Sequence, residues 1–378
     1  MAYFPSQVSF AAGELAPSLY GREDLAKYAV GLRTLKNFTV HPHGGVSNRA
    51  GTRYVAEAKH AGKAVRLVPF EYSDADAYLL EFGDEYVRFY KNGAQLAKDG
   101  SPYELETPYL EGELRALSFA QSADVLFIVH PNHPPMELAR YADTSWTLEK
   151  CSFKGGPFRT MNSTDTTIAL SSMTGNVTLT ASAALFEAGH AGALFSVFHH
   201  VDEVTKKTSG DLSASWGVEV KAYEGWHVLS SGFWGGTVRL QRYDEDEARW
   251  TDIYTFTSGS TKTSCKNYDE SGTVEEPTRF RLTADSFTTF LPEGNTDADR
   301  GYFELTAEAA DYECCIRVNS VTSSTVAQGT FEKDAASTRA TRNWSEGAWS
   351  DYRGWPCAVG FNQDRLCFGG NASRRTYG

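Results

Sequence analysis

Histidines are the first residues in this chain whose type and spacing could bind a metal ion. They come in three close pairs, which are His41 and His43, His130 and His133, and His199 and His200. A metal site needs three or four ligands that converge on one point, whereas adjacent residues of a strand point to opposite faces of the sheet. Metal binding at any one of these pairs is therefore less favoured than a role without a metal. The sequence predicts neither a metal nor another cofactor.

Carboxylates are also clustered, in the run of acidic residues at positions 244–247. This run lies in a predicted hairpin loop, where a solvated turn is the simpler interpretation. The chain contains no phosphate-binding loop, dinucleotide fingerprint, zinc-protease motif or nucleophile elbow. A hydrolase of surface polymers would need two convergent carboxylates, and the sequence singles out no such pair. We therefore expect that the chain is not an enzyme.

Aromatic residues are concentrated in the middle of the chain, at Tyr223, Trp226, Phe233, Trp234 and Trp250. Buried rings at these positions would form the core of a β-sandwich, whereas exposed rings could stack on sugars. The core is the favoured interpretation. In the alternative, a carbohydrate-binding or host-adhesion module of a phage, Trp226 and Trp234 are the candidates for ligand stacking.

The cysteine pattern and the net charge restrict the cellular compartment and the binding partners that we expect for this chain. The six cysteines show no metal-binding spacing, and the N-terminus lacks the basic segment and apolar core of a signal peptide. We expect a chain that folds in a cytoplasm with mostly buried free thiols, and the lack of a long apolar run predicts no membrane insertion. A formal net charge of −12 makes the chain a poor general binder of nucleic acid, although an acidic wall suits DNA that passes without binding.

The elements that would position these residues are mainly β-strands, because short alternating runs are separated by Gly, Asn and Asp turns. Alternating strands at 64–93 are repeated at 113–141 and again at 358–368. The spacing of the first two repeats, about 49 residues, suits the blades of a β-propeller, and three unrelated hairpins are the alternative. The repeats predict a partial or open propeller-like frame.

A different composition, rich in Ser, Thr and Gly, separates the second repeat from the third. Its short strands predict one or two inserted antiparallel β-sandwich modules. The predicted division is an N-terminal arm and helix at 1–57, blades at 58–153, the insertion at 154–342 and a returning, incomplete blade at 343–378. The one predicted helix, at 22–35, depends on the helical spacing of Leu25, Leu32 and Leu35.

Two sets of short motifs occur in the order that one known family shows. The first set is GELAP at 13–17, REDL at 22–25, NF at 37–38, GGV at 44–46 and RAGT at 49–52. The second set is WP at 355–356, Phe361, DRL at 364–366 and FGG at 368–370. In this order the motifs resemble the tail nozzle family of short-tailed bacteriophages, also called tail tubular protein B. Members of that family are usually considerably longer than this chain.

The resemblance implies a structural virion protein of the phage tail, made in the host bacterial cytoplasm. It implies a nozzle or tube component that forms a hexameric ring with copies of itself, through which DNA is ejected without specific binding. It also implies contacts with the tail adaptor and with distal tail or needle proteins. The expected interface residues are Arg22, Asp24, Leu25, Leu32, Asn37, Arg49 and Arg53. For Arg49 and Arg53, an isolated position on the surface is the alternative.

Overall fold

The chain is built almost entirely of β-strands, as the alternating sequence predicts. The computed structural model describes residues 6–73, 76–208 and 217–370. Within these residues the helical segments are short 3₁₀ helices, at Pro17–Leu19, Glu111–Ala116, Ala188–His190 and Asp297–Asp299. The sheets form a propeller-like frame with inserted antiparallel modules. The predicted fold class is confirmed, apart from the N-terminal helix.

The N-terminal arm, which we define as residues 6–50, contains short strands in place of that helix. They are β1 (Gly13–Glu14), β2 (Gly31–Leu32), β3 (Phe38–Val40) and β4 (Val46–Asn48). β1 pairs in parallel with β2, and β3 forms a hairpin with β4. The backbone N–H groups of Leu25, Tyr28 and Gly31 each donate to the carbonyl three residues earlier, which makes a succession of tight turns. The helix predicted at 22–35 is therefore wrong, because a short amphipathic helix needs a core to pack against and none lies beneath these residues.

The first blade is an antiparallel sheet. The strands of this region are β5 (Arg66–Glu71), β6 (Ala77–Gly83), β7 (Tyr86–Lys91), β8 (Ala94–Gln95), β9 (Ala97–Lys98), β10 (Ser101–Pro102) and β11 (Glu104–Glu106). The strand order in the sheet is β11-β7-β6-β5, with β8 paired to β7. Alternation buries Val68 and Phe70 and turns Leu67 outward. Asn92 and Gly93, which follow β7, both have positive φ, as a tight hairpin turn requires.

The second blade is a four-stranded meander that shares one hydrophobic core with the first blade. Its strands are β12 (Ser118–Ser122), β13 (Val125–His130), β14 (His133–Ala142) and β15 (Ser145–Lys150). Trp146 of this blade packs against Phe70 and Phe89 of the first blade, with ring centroids 4.8 and 4.6 Å apart. Face-to-face packing of this kind is how adjacent propeller blades bury their apolar faces.

The insertion holds two modules, one nested within the other. Its strands are β16 (Ile168–Leu170), β17 (Asn176–Ala181), β18 (Leu194–Val201), β19 (Val204–Thr208), β20 (Val218–Ala222), β21 (Gly225–Ser231), β22 (Trp234–Asp244), β23 (Arg249–Ser258), β24 (Asp269–Thr273), β25 (Thr278–Thr289), β26 (Tyr302–Ala307), β27 (Ala310–Ser323), β28 (Val326–Lys333) and β29 (Trp344–Glu346). The outer module is the six-stranded sheet β16-β17-β28-β27-β18-β29. The inner module is a sandwich of two four-stranded sheets, β19-β26-β21-β24 and β20-β25-β22-β23, around a single core.

The chain then returns to the frame as the hairpin of β30 (Ala358–Asn362) and β31 (Arg365–Gly369). β30 packs on β12 and β13 of the second blade. The ring of Phe361 lies 6.2 Å from that of Phe127, measured between centroids. The three sequence repeats are thus three neighbouring parts of one frame, and the insertion separates the second from the third only along the chain.

Candidate functional site

The N-terminal arm carries apolar side chains but has no core. Val8 is 88% exposed, Phe38 is 47% exposed and Leu25 is 36% exposed. The hydrophobic cores of the described residues lie in the blades, the six-stranded module and the sandwich, and none includes a residue of the arm. Exposed apolar side chains concentrated in one segment are typical of a surface that binds a partner.

The conformation of the arm depends on residues of the motifs quoted above. Gly13, Asn37 and Gly44 all have positive φ, at +65°, +61° and +99°. Gly adopts this region without strain, and Asn tolerates it better than most residues. Gly44 has a second constraint, since a Cβ there would lie 2.5 Å from the hydroxyl oxygen of Ser9. These motif residues therefore determine the path of the backbone.

Six of the seven predicted interface residues are spread over this arm, and the seventh, Arg53, follows it. Arg22 pairs with its neighbour Asp24 at 2.6 Å, and both side chains are more than half exposed. Leu32 is half-buried in β2. Asn37 contributes its backbone, because its carbonyl accepts the N–H of Arg49 at 2.9 Å. The role of these residues at an interface stays a prediction.

Arg53 connects the chain that follows the arm to the first blade. Its Nη2 donates a hydrogen bond to the carbonyl oxygen of Gly93 at 2.9 Å. A little farther along, Lys59 Nζ lies 2.6 Å from the carboxylate of Glu104. Arg53 therefore has a backbone partner within its own chain, which neither interpretation of the sequence foresaw. Polar contacts rather than apolar burial hold this connection in place.

An apolar groove lies beside this connection, on the outer face of the first blade. It has a volume of about 430 Å³, and its lining includes Val55, Leu67, Leu79 and Tyr90. Leu67 is 55% exposed and Leu79 is 39% exposed. Strand positions that face solvent are usually polar, so leucines here leave a surface suited to an apolar side chain.

A buried carboxylate, Glu81, borders the same groove. It accepts hydrogen bonds from the hydroxyl of Tyr86 at 2.6 Å and from that of Tyr90 at 2.5 Å. Burial, reinforced by the hydrogen bond to Glu81, raises the pKa of Tyr90 to about 12. The carboxylate thus fixes both tyrosine rings, and the groove is already formed in the single chain.

The two tryptophans that the sequence offers for ligand stacking are buried in the sandwich. Trp234 is fully buried and Trp226 is 5% exposed. Trp226 packs on Phe280 at 5.4 Å and Trp234 on Phe303 at 4.8 Å, measured between ring centroids. Neither ring offers a face to a sugar, so the stacking role does not fit these two residues, whereas the core interpretation does.

The face of the sandwich that points away from this core presents another aromatic pair, Tyr243 and Trp250. These residues are paired across β22 and β23, with ring centroids 5.1 Å apart. The guanidinium of Arg279 lies 3.8 Å from the centroid of Tyr243, and that of Arg281 lies 4.3 Å from the centroid of Trp250. We use the name platform for a set of six residues on this face: Gln241, Tyr243, Trp250, Asp252, Arg279 and Arg281.

Hydrogen bonds order the polar part of the platform. Gln241 accepts a bond from Arg281 Nε at 2.7 Å and donates one to Asp252 at 2.6 Å. Arg239 donates to the other oxygen of Asp252 at 2.6 Å. The hydrogen bond from Gln241, followed by that from Arg239, lowers the pKa of Asp252 despite its partial burial. Charged and planar groups are therefore held in fixed positions beside the two rings.

The third candidate site contains the histidine pair His130 and His133. Among the described residues, this is the pair that meets a third potential ligand, Glu113, with one ligand atom from each residue within 4.8 Å of the others. His41 and His43 instead stack on each other in the arm, with ring centroids 5.3 Å apart. The histidine pair is visible in the sequence. Glu113 cannot be recognised there as its partner, because Glu113 lies 20 residues before His133, with β12 and β13 between them.

The remaining polar candidates show no such convergence. His199 and His200 point to opposite faces of β18, as their adjacency predicts. His199 is buried and bonds through Nε2 to the carbonyl of Arg339 at 2.8 Å, while His200 is exposed beside Asp311. The acidic run 244–247 lies at the exposed β22–β23 turn.

Sequence reasoning missed the groove and the platform, although each had a signal. Leu67 and Leu79 occupy strand positions that alternation directs away from the core. Arg279 and Arg281 alternate with the buried Phe280 in the same way. Alternation along a single strand identifies which residues point outward. It does not reveal which strands pair, and that pairing is what brings the outward residues together.

No family model matches the chain, and no curated protein matches it. A solved structure of exo-beta-1,3-galactanase from Phanerochaete chrysosporium with galactose aligns at 11% identity and a TM-score of 0.19, over 71% of this chain and 73% of that chain. A variant of the same enzyme with beta-1,3-galactotriose aligns at 10% identity and a TM-score of 0.18, over the same shares.

Both of these structures are of a glycoside hydrolase. That finding contradicts the expectation from the sequence that the chain is not an enzyme, and the expectation is withdrawn. A TM-score of 0.19 carries no argument about what this chain binds or converts. Among the described residues, no helix has the length and apolar character needed to cross a membrane.

Proposed function

We propose that this chain is a structural subunit of a phage tail, a nozzle component that assembles with copies of itself into a hexameric ring. The observation that carries the proposal is the arm, whose apolar side chains have no core in their own chain. The motifs that resemble the tail nozzle family lie largely in this arm, where Gly13, Asn37 and Gly44 determine its backbone. The resemblance and the exposed arm thus favour the same function.

In this proposal the arm of one copy packs on the first blade of the next. Leu25 and Phe38 supply apolar side chains, and the groove at Leu67 and Leu79 receives them. Each such side chain would contribute roughly 1.5–3 kcal/mol if it becomes fully buried. The donor and acceptor surfaces differ, so the contact is head-to-tail, and a rotation that closes produces a ring.

The charge of the chain supports a passage for DNA. A formal net charge of −12 disfavours the phosphate contacts that hold DNA to a protein. DNA therefore moves through the ring without specific binding. The resemblance supplies the other partners of the proposal, which are the tail adaptor on one side and distal tail or needle proteins on the other.

The test uses the full chain at several concentrations, with mass photometry and negative-stain imaging to detect rings. We compare the wild type with the arm variant Leu25→Asp/Phe38→Asp and the groove variant Leu67→Asp/Leu79→Asp. Tyr141→Asp is the matched control, because Tyr141 is 70% exposed on the β14–β15 hairpin, outside both surfaces. Circular dichroism verifies that each variant keeps its β-structure.

The proposal predicts rings for the wild type and Tyr141→Asp and single chains for the other two. Two lost apolar contacts correspond to association weakened by at least about 100-fold, since each 1.4 kcal/mol is a factor of ten. Rings that persist in the arm variant would contradict the arm as the contact. A label on the chain that is found away from the tail axis in phage particles would contradict the tail function.

A second candidate function, carbohydrate binding, is favoured by the platform. Tyr243 and Trp250 lie on an exposed sheet face beside the fixed guanidinium groups of Arg279 and Arg281. Aromatic rings next to a few fixed polar groups are the usual means of orienting a sugar. The ligand class of this candidate is a polysaccharide of the host surface.

A glycan array that includes beta-1,3-linked galactan, probed with the full chain, tests this candidate. Binding that is lost in Trp250→Ala and kept in Tyr141→Ala supports the platform as the site. Binding that is equal in the two variants places the ligand elsewhere, and an absence of binding to any glycan removes the candidate. Release of galactose from the bound oligosaccharide would add a hydrolytic activity.

A further inference from the structure

The cluster of Glu113, His130 and His133 connects the two blades. Glu113 belongs to the 3₁₀ helix Glu111–Ala116, which leads out of the first blade. The histidines stand at the end of β13 and the start of β14, on either side of one tight turn in the second blade. The backbone N–H of Trp355 donates to the carbonyl of Pro131 in the same turn at 3.0 Å, so the returning chain also meets this point.

The side chains in the cluster are already held in place. Glu113 Oε2 lies 2.8 Å from His133 Nε2 and also accepts the backbone N–H of Leu110 at 3.1 Å. The amide of Asn132 donates to the other oxygen of Glu113 at 3.2 Å. The imidazole centroids of His130 and His133 are 5.2 Å apart. A cation that replaced the proton between Glu113 and His133 would therefore meet ligands whose positions are fixed by other contacts.

An orphan hydroxyl on a tyrosine ring that lies near both histidines is a second, independent observation. Tyr109 is fully buried, and its hydroxyl has no hydrogen-bond partner among the described residues. Its ring lies 5.3 Å from that of His133 and 6.4 Å from that of His130, measured between centroids. A buried hydroxyl without a partner is costly, and a water molecule bound to a cation beside it would satisfy it.

We propose that Glu113, His130 and His133 bind a divalent transition-metal cation, with Zn²⁺ as the best match. Two imidazoles and one carboxylate are ligands that Zn²⁺ accepts, and three protein ligands leave a fourth position for water. The ion fastens the first blade to the β13–β14 turn of the second. The ligands come from both sides of the junction between two blades, so the ion fixes the angle between these blades.

Ligation also requires one adjustment within the cluster. His130 Nδ1 accepts the backbone N–H of Asn132 at 3.2 Å, so the neutral ring carries its proton on Nε2. Binding the ion either replaces that long hydrogen bond at Nδ1 or moves the proton and frees Nε2. Either route costs the single long hydrogen bond from Asn132, because Nδ1 can no longer accept that N–H once it binds the ion or carries the proton.

The experiment uses the tag-free full chain, freed of metal, with Zn²⁺ or Co²⁺ alone as the probe. Calorimetry gives the stoichiometry and Kd for Zn²⁺, and visible absorption reports the coordination of Co²⁺. The proposal predicts one ion per chain, the intense absorption of four-coordinate Co²⁺, and a Tm that rises with the metal concentration. Loss of a residue that hydrogen-bonds to a metal ligand weakens metal binding roughly 10- to 100-fold. His133→Ala and Glu113→Gln each remove a ligand itself, so each should weaken Zn²⁺ binding by more than that.

His227→Ala is the matched control, because His227 also pairs with a carboxylate, that of Asp269 at 2.6 Å, but without a second histidine. It should bind Zn²⁺ as the wild type does. Lack of saturable binding, or equal affinity in His133→Ala, would overturn the site. If the variants do not fold, X-ray absorption of the Zn²⁺-loaded wild type decides, since a shell of oxygen ligands without imidazole contradicts the proposal.

Discussion

The guanidinium of Arg53 donates a hydrogen bond to the carbonyl oxygen of Gly93 at 2.9 Å. Gly93 lies in the β7–β8 turn, where Asn92 and Gly93 both have positive φ, and this turn also borders the groove at Leu67 and Leu79. One side chain therefore sets both the point where the arm leaves the blade and the edge of the groove that we propose for a neighbouring arm.

Replacement of Arg53 by alanine should loosen the arm without affecting the blades. A single exposed hydrogen bond has a net value of about 0.5–1.5 kcal/mol, so the population of detached arm should rise roughly 2- to 10-fold. Hydrogen-exchange mass spectrometry of peptides from 49–60 measures this change. Arg49→Ala, which removes another exposed arginine nearby, is the control. Equal exchange in the two variants would contradict the tether.

Gly44→Ala should disrupt the arm more strongly. The residue has φ of +99°, and the new Cβ would lie 2.5 Å from the Ser9 hydroxyl oxygen, so the turn must shift. We expect loss of ring assembly with an unchanged Tm of the blades. Gly51→Ala is the matched control, because it has no atom within 4 Å of the added Cβ and no positive φ. Assembly equal to that of Gly51→Ala would show that the arm does not need this turn.

The frame could be predicted from the sequence because its signals are local. Alternation in β5, β6, β12 and β13 follows from burial of one face, and turns such as Asn92-Gly93 leave little choice of connection. The helix at 22–35 failed for the opposite reason. Its amphipathic spacing is real, but spacing predicts a helix only where a core receives the apolar face, and the arm has none in its own chain.

The sites were harder to predict because they depend on pairing across the sequence. Glu113 and His133 meet only once the two blades pack, and Arg281 reaches Trp250 only through the order of strands in the sandwich. Trp226 and Trp234 show the same limit. Their type favours a core but also fits a sugar site, and only the sheet that faces them decides.

The sandwich tryptophans provide a direct test of this assignment. Trp234→Ala removes a fully buried ring and should cost about 3–5 kcal/mol of unfolding free energy. Trp250→Ala removes a ring that is half-buried on the outer face and should cost distinctly less. Urea denaturation followed by circular dichroism compares the two. A larger loss for Trp250→Ala would reverse the assignment of core and surface.

The cysteines should divide by reactivity. All six are free: Cys314 and Cys315 are buried, whereas Cys357 and Cys367 are exposed. Burial raises the pKa of the Cys314 thiol to about 12 and that of Cys315 to about 11, so almost no thiolate is present near neutral pH. Alkylation mapped by mass spectrometry should label the exposed pair in native protein and the buried pair only after unfolding. Equal labelling in native protein would contradict the packing of β27.

Glu346 joins the six-stranded module to the chain that returns to the blades, and this contact should depend on pH. The buried carboxylate accepts bonds from His190 Nε2 at 2.8 Å and from Arg353 Nε and Nη2 at 2.6 and 2.7 Å. Burial alone would raise its pKa, but the bonds from His190 and Arg353 outweigh burial and lower the pKa from 4.5 to about 2. The native state therefore binds this proton less readily than the unfolded chain does.

The sign of the effect follows from that difference. The contribution of Glu346, about 3 kcal/mol, is fully present above the unfolded pKa near 4.5 and is lost as the pH falls toward 2. Glu346→Gln should lose a similar amount at pH 7 and show a weaker decline on acidification than the wild type. Urea midpoints at pH 7, 5 and 3 measure this, with Asp165→Asn as the control because its carboxylate is 93% exposed. Parallel pH profiles for Glu346→Gln and the wild type would show that Glu346 does not link the two parts of the chain as its contacts indicate.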